Sequence, residues 1–376
     1  MNSLQQVVGI FGEVLQQRLF PALEQEFGIL SEPMQEFVRA LALVGLDGFV
    51  PARRGPGRPR RDRSNIARAF LAKAIFNLPH SRAMRDRLLH DETLRRLCGY
   101  ESSADIPHES IFSRAFAEFA RSEMPQRAQQ ALVQRTRAKR LVGHVLRDST
   151  AIAVSEKPGE KKQENEPKRR GHRKAGVAKK PEKMLRTERQ WLGNMTVAEM
   201  LAELPTACDT GCKPNSHGKR EYWVGYKLHL DVADGEIPIS YALTSASVND
   251  LLVAIPLAKM STERVQYCYE VMDMGFDCTA VREHGRQQQH VPIMPYQRRG
   301  AKPKVELAPH EQMRYRERTA VERVFSRLKD QYGALNVRVK GAAKVMAHLM
   351  FGLLALTADQ ILRWAGLLDP KCETAG

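Results

Sequence analysis

The stretch Tyr315-Arg-Glu-Arg-Thr-Ala-Val-Glu-Arg-Val-Phe-Ser-Arg-Leu-Lys329 contains neither proline nor glycine and is rich in helix formers, so it predicts a helix. Counting about 100° per residue from Tyr315 puts Arg318, Lys329 and Glu322 at roughly 300°, 320° and 340°. Four polar side chains, Tyr315 included, therefore share one narrow face over about four turns. Val321, Val324 and Leu328 fall at roughly 180–240°, an adjacent apolar face that can dock on a core. Taken alone, the pattern allows a solvated amphipathic helix or one wall of a site built around Glu322. What decides is whether the rest of the chain supplies partners for that carboxylate.

A chain of 376 residues exceeds one ordinary core, and two or three domains are expected. An apolar fraction of 43% is enough to fold them. The net charge of +16 and the pI near 9.7 point to a polyanionic partner, nucleic acid before an anionic membrane. No stretch reads as the ~18–20 apolar residues of a membrane span; the longest, Val345–Leu356, is short and contains His348. The first residues lack a basic region followed by an apolar run, so no secretory leader is expected. Six scattered cysteines do not make a disulfide framework and suit a reducing cytoplasm.

Residues 3–50 carry apolar residues at helical spacing and predict two helices with a break near Gly28–Pro33. The segment from Arg53 to Arg61 is dense in Arg, Pro and Gly, which forbid a helix. As an extended arm, its Arg58 and Arg60 could enter a minor groove; as a linker, it is merely solvated. Short helices are predicted at Asn65–Phe76, Ser81–Leu89 and Thr93–Cys98, and a longer one after Pro107 towards Arg137. Together they suggest a helix-turn-helix-like DNA-binding module or a plain helical bundle.

From Leu141 the pattern changes. Leu141–Val154 is apolar and β-branched, a buried strand with Asp148 in its middle, and a charge there is costly unless paired or bound to a metal. Residues 156–190 have almost no apolar side chains and read as a basic insertion that could lie along a phosphate backbone. Strands follow at Tyr222–Asp231, Ile237–Thr244, Val265–Met272 and His290–Tyr296, with Asp234-Gly235 as a hairpin turn. Helices are predicted at Asp250–Lys259, Cys278–Gln288, from Pro309 through Lys329, and at Ala342–Leu368. The order implies an antiparallel hairpin joined to parallel strands by crossover helices, a layered α/β core.

Three carboxylates stand out by position: Asp148 inside the first strand, Asp273 at the end of a later one beside Gly275, and Glu322 on the helix after the last strand. If they meet, three oxygen ligands suit a hard cation such as Mg²⁺ or Mn²⁺, and two such ions can drive phosphodiester cleavage. Asp277 is a weaker alternative to Asp273, lying past the turn. Asp250 reads first as a helix cap. Cys208, Cys212 and His217 have loose zinc spacing without an evident fourth ligand.

Here the sequence resembles the DDE transposases of bacterial insertion sequences, in the group marked by a Tyr-x2-Arg-x3-Glu-x6-Lys signature (families four and five). Tyr315, Arg318, Glu322 and Lys329 match it at the required spacing. Asp273-Met274-Gly275-Phe276 matches the second block and Asp148-Ser149-Thr150 the first. Tyr222–Leu230 and Thr244–Asp250 also resemble family segments, although family members often carry His-Asp where this chain has Asn249-Asp250. The likeness covers about residues 141–350 well and the helical N-terminus loosely.

The resemblance implies an α/β RNase H-like fold: a mixed five-stranded sheet flanked by helices, an all-α N-terminal region, and the basic insertion after the first catalytic strand. The implied division is 1–62 (helices and basic arm), 63–140 (helical DNA-binding domain), 141–335 (catalytic domain, insertion 155–215) and 336–376 (C-terminal helix). It implies Asp148, Asp273 and Glu322 as catalytic ligands of two Mg²⁺ or Mn²⁺ ions. Tyr315, Arg318 and Lys329 would contact DNA, with Arg58, Arg60 and Lys227 as further DNA-binding candidates. The implied partner is double-stranded DNA, as transposon ends and target, bound by a homodimer with no membrane involved, in a bacterial cytoplasm at the nucleoid. The implied activity is cleavage at terminal inverted repeats and joining of the ends to target DNA. A nuclease without strand transfer, or a domesticated DNA-binding protein, remains the alternative.

Overall fold

The computed structural model describes residues 19–51, 62–137, 141–159, 186–214, 218–296 and 306–364. Arg58, Arg60, His217 and the middle of the basic insertion lie outside the described residues.

Among the described residues, seven α-helices come first. α1 (Phe20–Phe27) ends at Gly28 and α2 (Glu32–Val44) at Gly45, whose left-handed backbone closes the last turn. α3 (Arg63–Ile75) begins where Asp62 accepts from Ser64 N–H. α4 (Ser81–His90) and α5 (Glu92–Leu97) start on His80 and Asp91, which accept from the amides of Ala83 and Leu94. The single helix expected from Pro107 to Arg137 is two, α6 (Glu109–Arg121) and α7 (Met124–Arg137). Glu123 takes a left-handed backbone (φ 50°) between them, and Pro125 has no N–H with which to continue the preceding helix.

β1 (Leu141–Ala153) opens the sheet. Next come α8 (Arg186–Leu192), α9 (Val197–Ala202) and β2 (Asp209–Pro214), so the latter part of the stretch 155–215, expected as an insertion, holds two helices and a strand. Then follow β3 (Arg220–Ala233), β4 (Ile237–Ser245), α10 (Leu251–Arg264), β5 (Gln266–Met272), α11 (Thr279–Gln287) and β6 (Val291–Ile293). α12 (Pro309–Tyr315), a single 3₁₀ turn at Arg316–Arg318, α13 (Thr319–Asp330) and α14 (Ala342–Trp364) complete the order. The uninterrupted helix predicted across Tyr315 is therefore broken at its Arg-rich turn.

The sheet has six strands rather than five, and β2 is the addition. β3 runs antiparallel to β1, β5 is parallel to β1, and β6 is parallel to β5. Gly225 of β3 faces Ala153 on one side and Asp209 on the other, so β2 lies on the edge opposite β1, in line with β4. Asp148 stands opposite Leu230, and Arg147 stands opposite Asp231 and Met272. Because side chains alternate, these neighbours point to opposite faces. α13 covers the Asp148 face through Lys329 and Thr150, and α10 covers the other through Ser261 and Asp231.

α14 is 23 residues long and apolar enough to cross a membrane by length and composition, contrary to the expectation that no stretch is. It is a core helix instead, packed on α2, α3, α6, α7, β4 and α13, with nearly all of it buried. One apolar cluster runs from Phe37 and Phe70 through Phe351 to Leu228 and Val271, joining the helical region to the sheet.

Gly225 supplies a sharp test of this packing. A Cβ there would lie 2.1 Å from the Ile152 carbonyl oxygen, where β3 crosses β1 with φ at +152°. Gly225→Ala is expected to destabilise the fold by at least ~2 kcal/mol in urea unfolding; a wild-type midpoint would show that the strands can part without loss.

Candidate active site

Asp148 and Asp273 reach one end of the sheet on neighbouring strands. Asp148 sits in β1, one residue past Arg147, which pairs with Met272; Asp273 directly follows β5. The chain turns at Met274–Phe276, and Asp273 Oδ1 accepts from the Gly275 amide at 2.8 Å. A Cβ at Gly275 would come within 2.9 Å of that oxygen, so glycine permits the close turn.

Arg318 joins the third carboxylate to the first. Its Nη1 donates to Asp148 Oδ2 at 3.0 Å and its Nη2 to Glu322 Oε1 at 2.5 Å. The 3₁₀ turn at Arg316–Arg318 and the first turn of α13 thus bring Glu322 towards Asp148 through a guanidinium. Tyr315 stacks beside Arg318 with its ring centre 5.9 Å from the guanidinium carbon. Lys329, at the other end of α13, donates to Thr150 Oγ1 at 2.6 Å. Signature residues on α12, the 3₁₀ turn and α13 thus meet two positions of β1.

The charges are unbalanced. Burial, first of all, pushes the Asp148 carboxyl up to about 6, and the nearby Asp273 and Asp250 add to the rise; the Ser149 amide and Arg318 pull against it. Asp273 is also raised, by burial and then by Asp250, against its bonds to the Gly275 and Phe276 amides. Burial alone would lower Arg318, but Asp148, Glu322, Tyr315 and Asp273 together hold it above its usual range. Lys329 is lowered by burial and then by Lys213 of β2. Two half-buried carboxylates held above their ordinary range are a site short of positive charge.

The donor set is all hard oxygen, which fits Mg²⁺ or Mn²⁺ by ligand type. Among the described residues no three His, Cys, Asp or Glu stand together as a set that could hold a metal ion. Asp148 and Glu322 are joined instead through Arg318.

Behind the site lies a buried polar network. Arg147, 1% exposed, donates from Nε and Nη2 to the two oxygens of Asp231 at 2.7 and 2.8 Å, and from Nη1 to Met272 Sδ at 3.3 Å. Ser261 Oγ of α10 donates to Asp231, and Tyr267 donates to Glu270 at 2.6 Å. Burial would raise Glu270, yet Arg147, His290 and Tyr267 hold it down at about 2. Arg147 and Met272 are the residues just before Asp148 and Asp273, so this network fixes both carboxylates from the far face of the sheet.

The remaining candidates separate. Lys227 has partners within the chain: its ammonium donates to the Val248 carbonyl at 2.8 Å and to Asp250 at 3.0 Å. Asp250 stands at the N-cap of α10 without capping it; Asn249 Oδ1 takes the Leu251 amide instead. Asp277 pairs with Arg282 at 2.9 Å, away from Asp148. Cys208 is buried and Cys212 exposed, with no metal-ligand group about them among the described residues. Sequence reasoning missed Arg147, Lys213 and the placement of Asp250. An arginine beside Asp148 in an apolar strand was the one available signal, since a buried guanidinium demands a carboxylate partner.

A family model described as the transposase DDE domain matches residues 205–358, and a second, described as a transposase domain, matches residues 32–118. The first holds Asp273, Tyr315, Arg318, Glu322 and Lys329 and begins after Asp148. No curated protein and no solved structure matches the chain. The two matched domains, following one another along the chain, indicate a transposase.

The raised carboxyl has a measurable sign. Asp148 binds its proton more tightly in the folded state than at the ordinary value of 3.8, so its charge destabilises the fold fully above about 6, and the penalty fades as pH falls towards 3.8. In metal-free buffer near neutral pH, Asp148→Asn is expected to melt a few degrees above wild type, a gain that shrinks in acid. A lower melting temperature for the variant at neutral pH would show that the Arg318 pair outweighs burial.

Proposed function

We propose that the chain is the DNA transposase of an insertion sequence, cutting phosphodiester bonds at the element's terminal inverted repeats and joining the ends to target DNA. The observation that carries this reading is Arg318 bridging Asp148 and Glu322 beside Asp273, which brings three separately encoded blocks to one end of the sheet. The antiparallel β4–β3–β1 run continuing into parallel β5 and β6, with helices on both faces, supports an RNase H-like reading of the fold. The net charge of +16 supports a polyanionic substrate.

Asp148, Asp273 and Glu322 are the residues that would hold a pair of Mg²⁺ or Mn²⁺ ions. Such ions, when bound, supply an activated water or 3′-hydroxyl and stabilise the leaving oxygen. The chain's own part is electrostatic. Arg318 pairs with Asp148 and Glu322 in the free protein, offsetting part of their charge, and has a fork geometry that suits a DNA phosphate equally well. Exchanging those carboxylates for a phosphate would free their oxygens when substrate arrives. Tyr315 orients Arg318, and Lys329, lowered by burial and then by Lys213, adds a donor at the far end of α13. Lys227, a further DNA-binding candidate, would have to give up its bonds to Val248 and Asp250 to meet a phosphate. Two DNA ends must be handled together for joining, which is the reason to expect a homodimer on DNA, in the cytoplasm at the nucleoid.

The test is cleavage of a duplex carrying the element's terminal repeat in Mg²⁺. Asp148→Asn, Asp273→Asn and Glu322→Gln are each expected to reduce cleavage by about two orders of magnitude or more while leaving end binding within a few-fold. Persistent cleavage in any of them removes that residue from the site. Cleavage without a joined product identifies a nuclease, and tight binding without cleavage identifies a DNA-binding protein.

A further inference from the structure

Away from the carboxylates, a cavity of about 350 Å³ opens where α3, α6 and α14 meet the segment linking α13 to α14. Lys73 of α3 lies in its wall, only 8% exposed. Arg338, Lys340 and Lys344 line it as well, and all three are exposed. Among the described residues none of these four cations makes an ion pair or a side-chain hydrogen bond. The single carboxylate in the lining, Glu109, faces Arg82 at 3.5 Å. His348 brings no charge: burial and then Lys73 push it down to about 3, and its Nε2 contacts the Gly333 carbonyl at 3.0 Å. Phe70 and Phe351, 5.7 Å apart between ring centres, provide an apolar wall.

A buried ammonium without a partner is costly, and burial alone pulls Lys73 down to about 8. We propose that the cavity is a binding pocket for a phosphate-bearing group, held by Lys73 within it and by Arg338, Lys340 and Lys344 around it. Its size admits one phosphate with its sugar or base and not a duplex. The group is therefore a strand-end or unpaired nucleotide of DNA, or a free phosphate compound. Its position is informative. Arg338 and Lys340 follow α13, which carries Glu322 and Lys329, whereas Lys73 belongs to the N-terminal helices. A bound phosphate would tie the two regions together.

The experiment is thermal unfolding of the full chain at matched ionic strength with three probes: inorganic phosphate, deoxyadenosine 5′-monophosphate, and a short duplex with or without a 5′-phosphate. At least one phosphate-bearing probe is expected to raise the melting temperature. Lys73→Met should weaken that probe's affinity at least about tenfold while leaving the free protein no less stable, since it removes an unpaired buried charge. The double variant Lys340→Gln/Lys344→Gln, on exposed positions, should weaken the same response and serves if Lys73→Met does not fold. Stabilisation by the small probes assigns a free phosphate compound; stabilisation only by the 5′-phosphorylated duplex assigns a strand end. No response to any probe, or a response unchanged in both variants, overturns the proposal. The readout does not depend on DNA cleavage and can fail or succeed independently of the activity proposed above.

Discussion

The fully buried ion pair between Arg147 and Asp231 is the constraint on which the rest of this structure depends. Both oxygens of Asp231 are taken by one guanidinium, whose third arm rests on Met272. Three strands, β3, β1 and β5, are thereby held in one register at one level. Removing either partner would strand a charge inside the sheet, at a cost on the order of 3–5 kcal/mol. A one-residue slip would do the same and would also turn Asp148 to the wrong face. The pair thus acts less as a source of stability than as a device that permits only one alignment, and that alignment sets Asp148 beside Asp273.

The opposite face of β1 uses the same electrostatics with the balance left open. Asp148 and Asp273 are partly buried and raised, and Arg318 offsets only part of their charge. Arg318 and Asp148 keep about a fifth of their side chains exposed, whereas Arg147 and Asp231 are closed off from solvent. The two arginines thus meet β1 on opposite faces, Arg147 from the strand itself and Arg318 from the 3₁₀ turn before α13.

α14 carries the second organising constraint. Its apolar length would serve in a membrane, yet here it is the shared core of the N-terminal helices and the sheet. The basic cavity lies at that same junction.

Much of this was legible in the sequence. The strand positions, the spacing of Tyr315, Arg318, Glu322 and Lys329, and the three carboxylates follow from local periodicity, which the backbone enforces within a few residues. The break at Glu123, the 3₁₀ turn at Arg316–Arg318 and the sixth strand were not, because each depends on what packs against it. Nor could sequence show that Lys227 pairs with Asp250, or that Arg318 pairs with both Asp148 and Glu322. Those outcomes are pairings between charges far apart in the chain, and an ion pair is decided by distance and burial in three dimensions. The sequence by itself determined which side chains share a face; only the tertiary structure decided which faces meet, since that is set by register across strands and by the partner each buried charge must find.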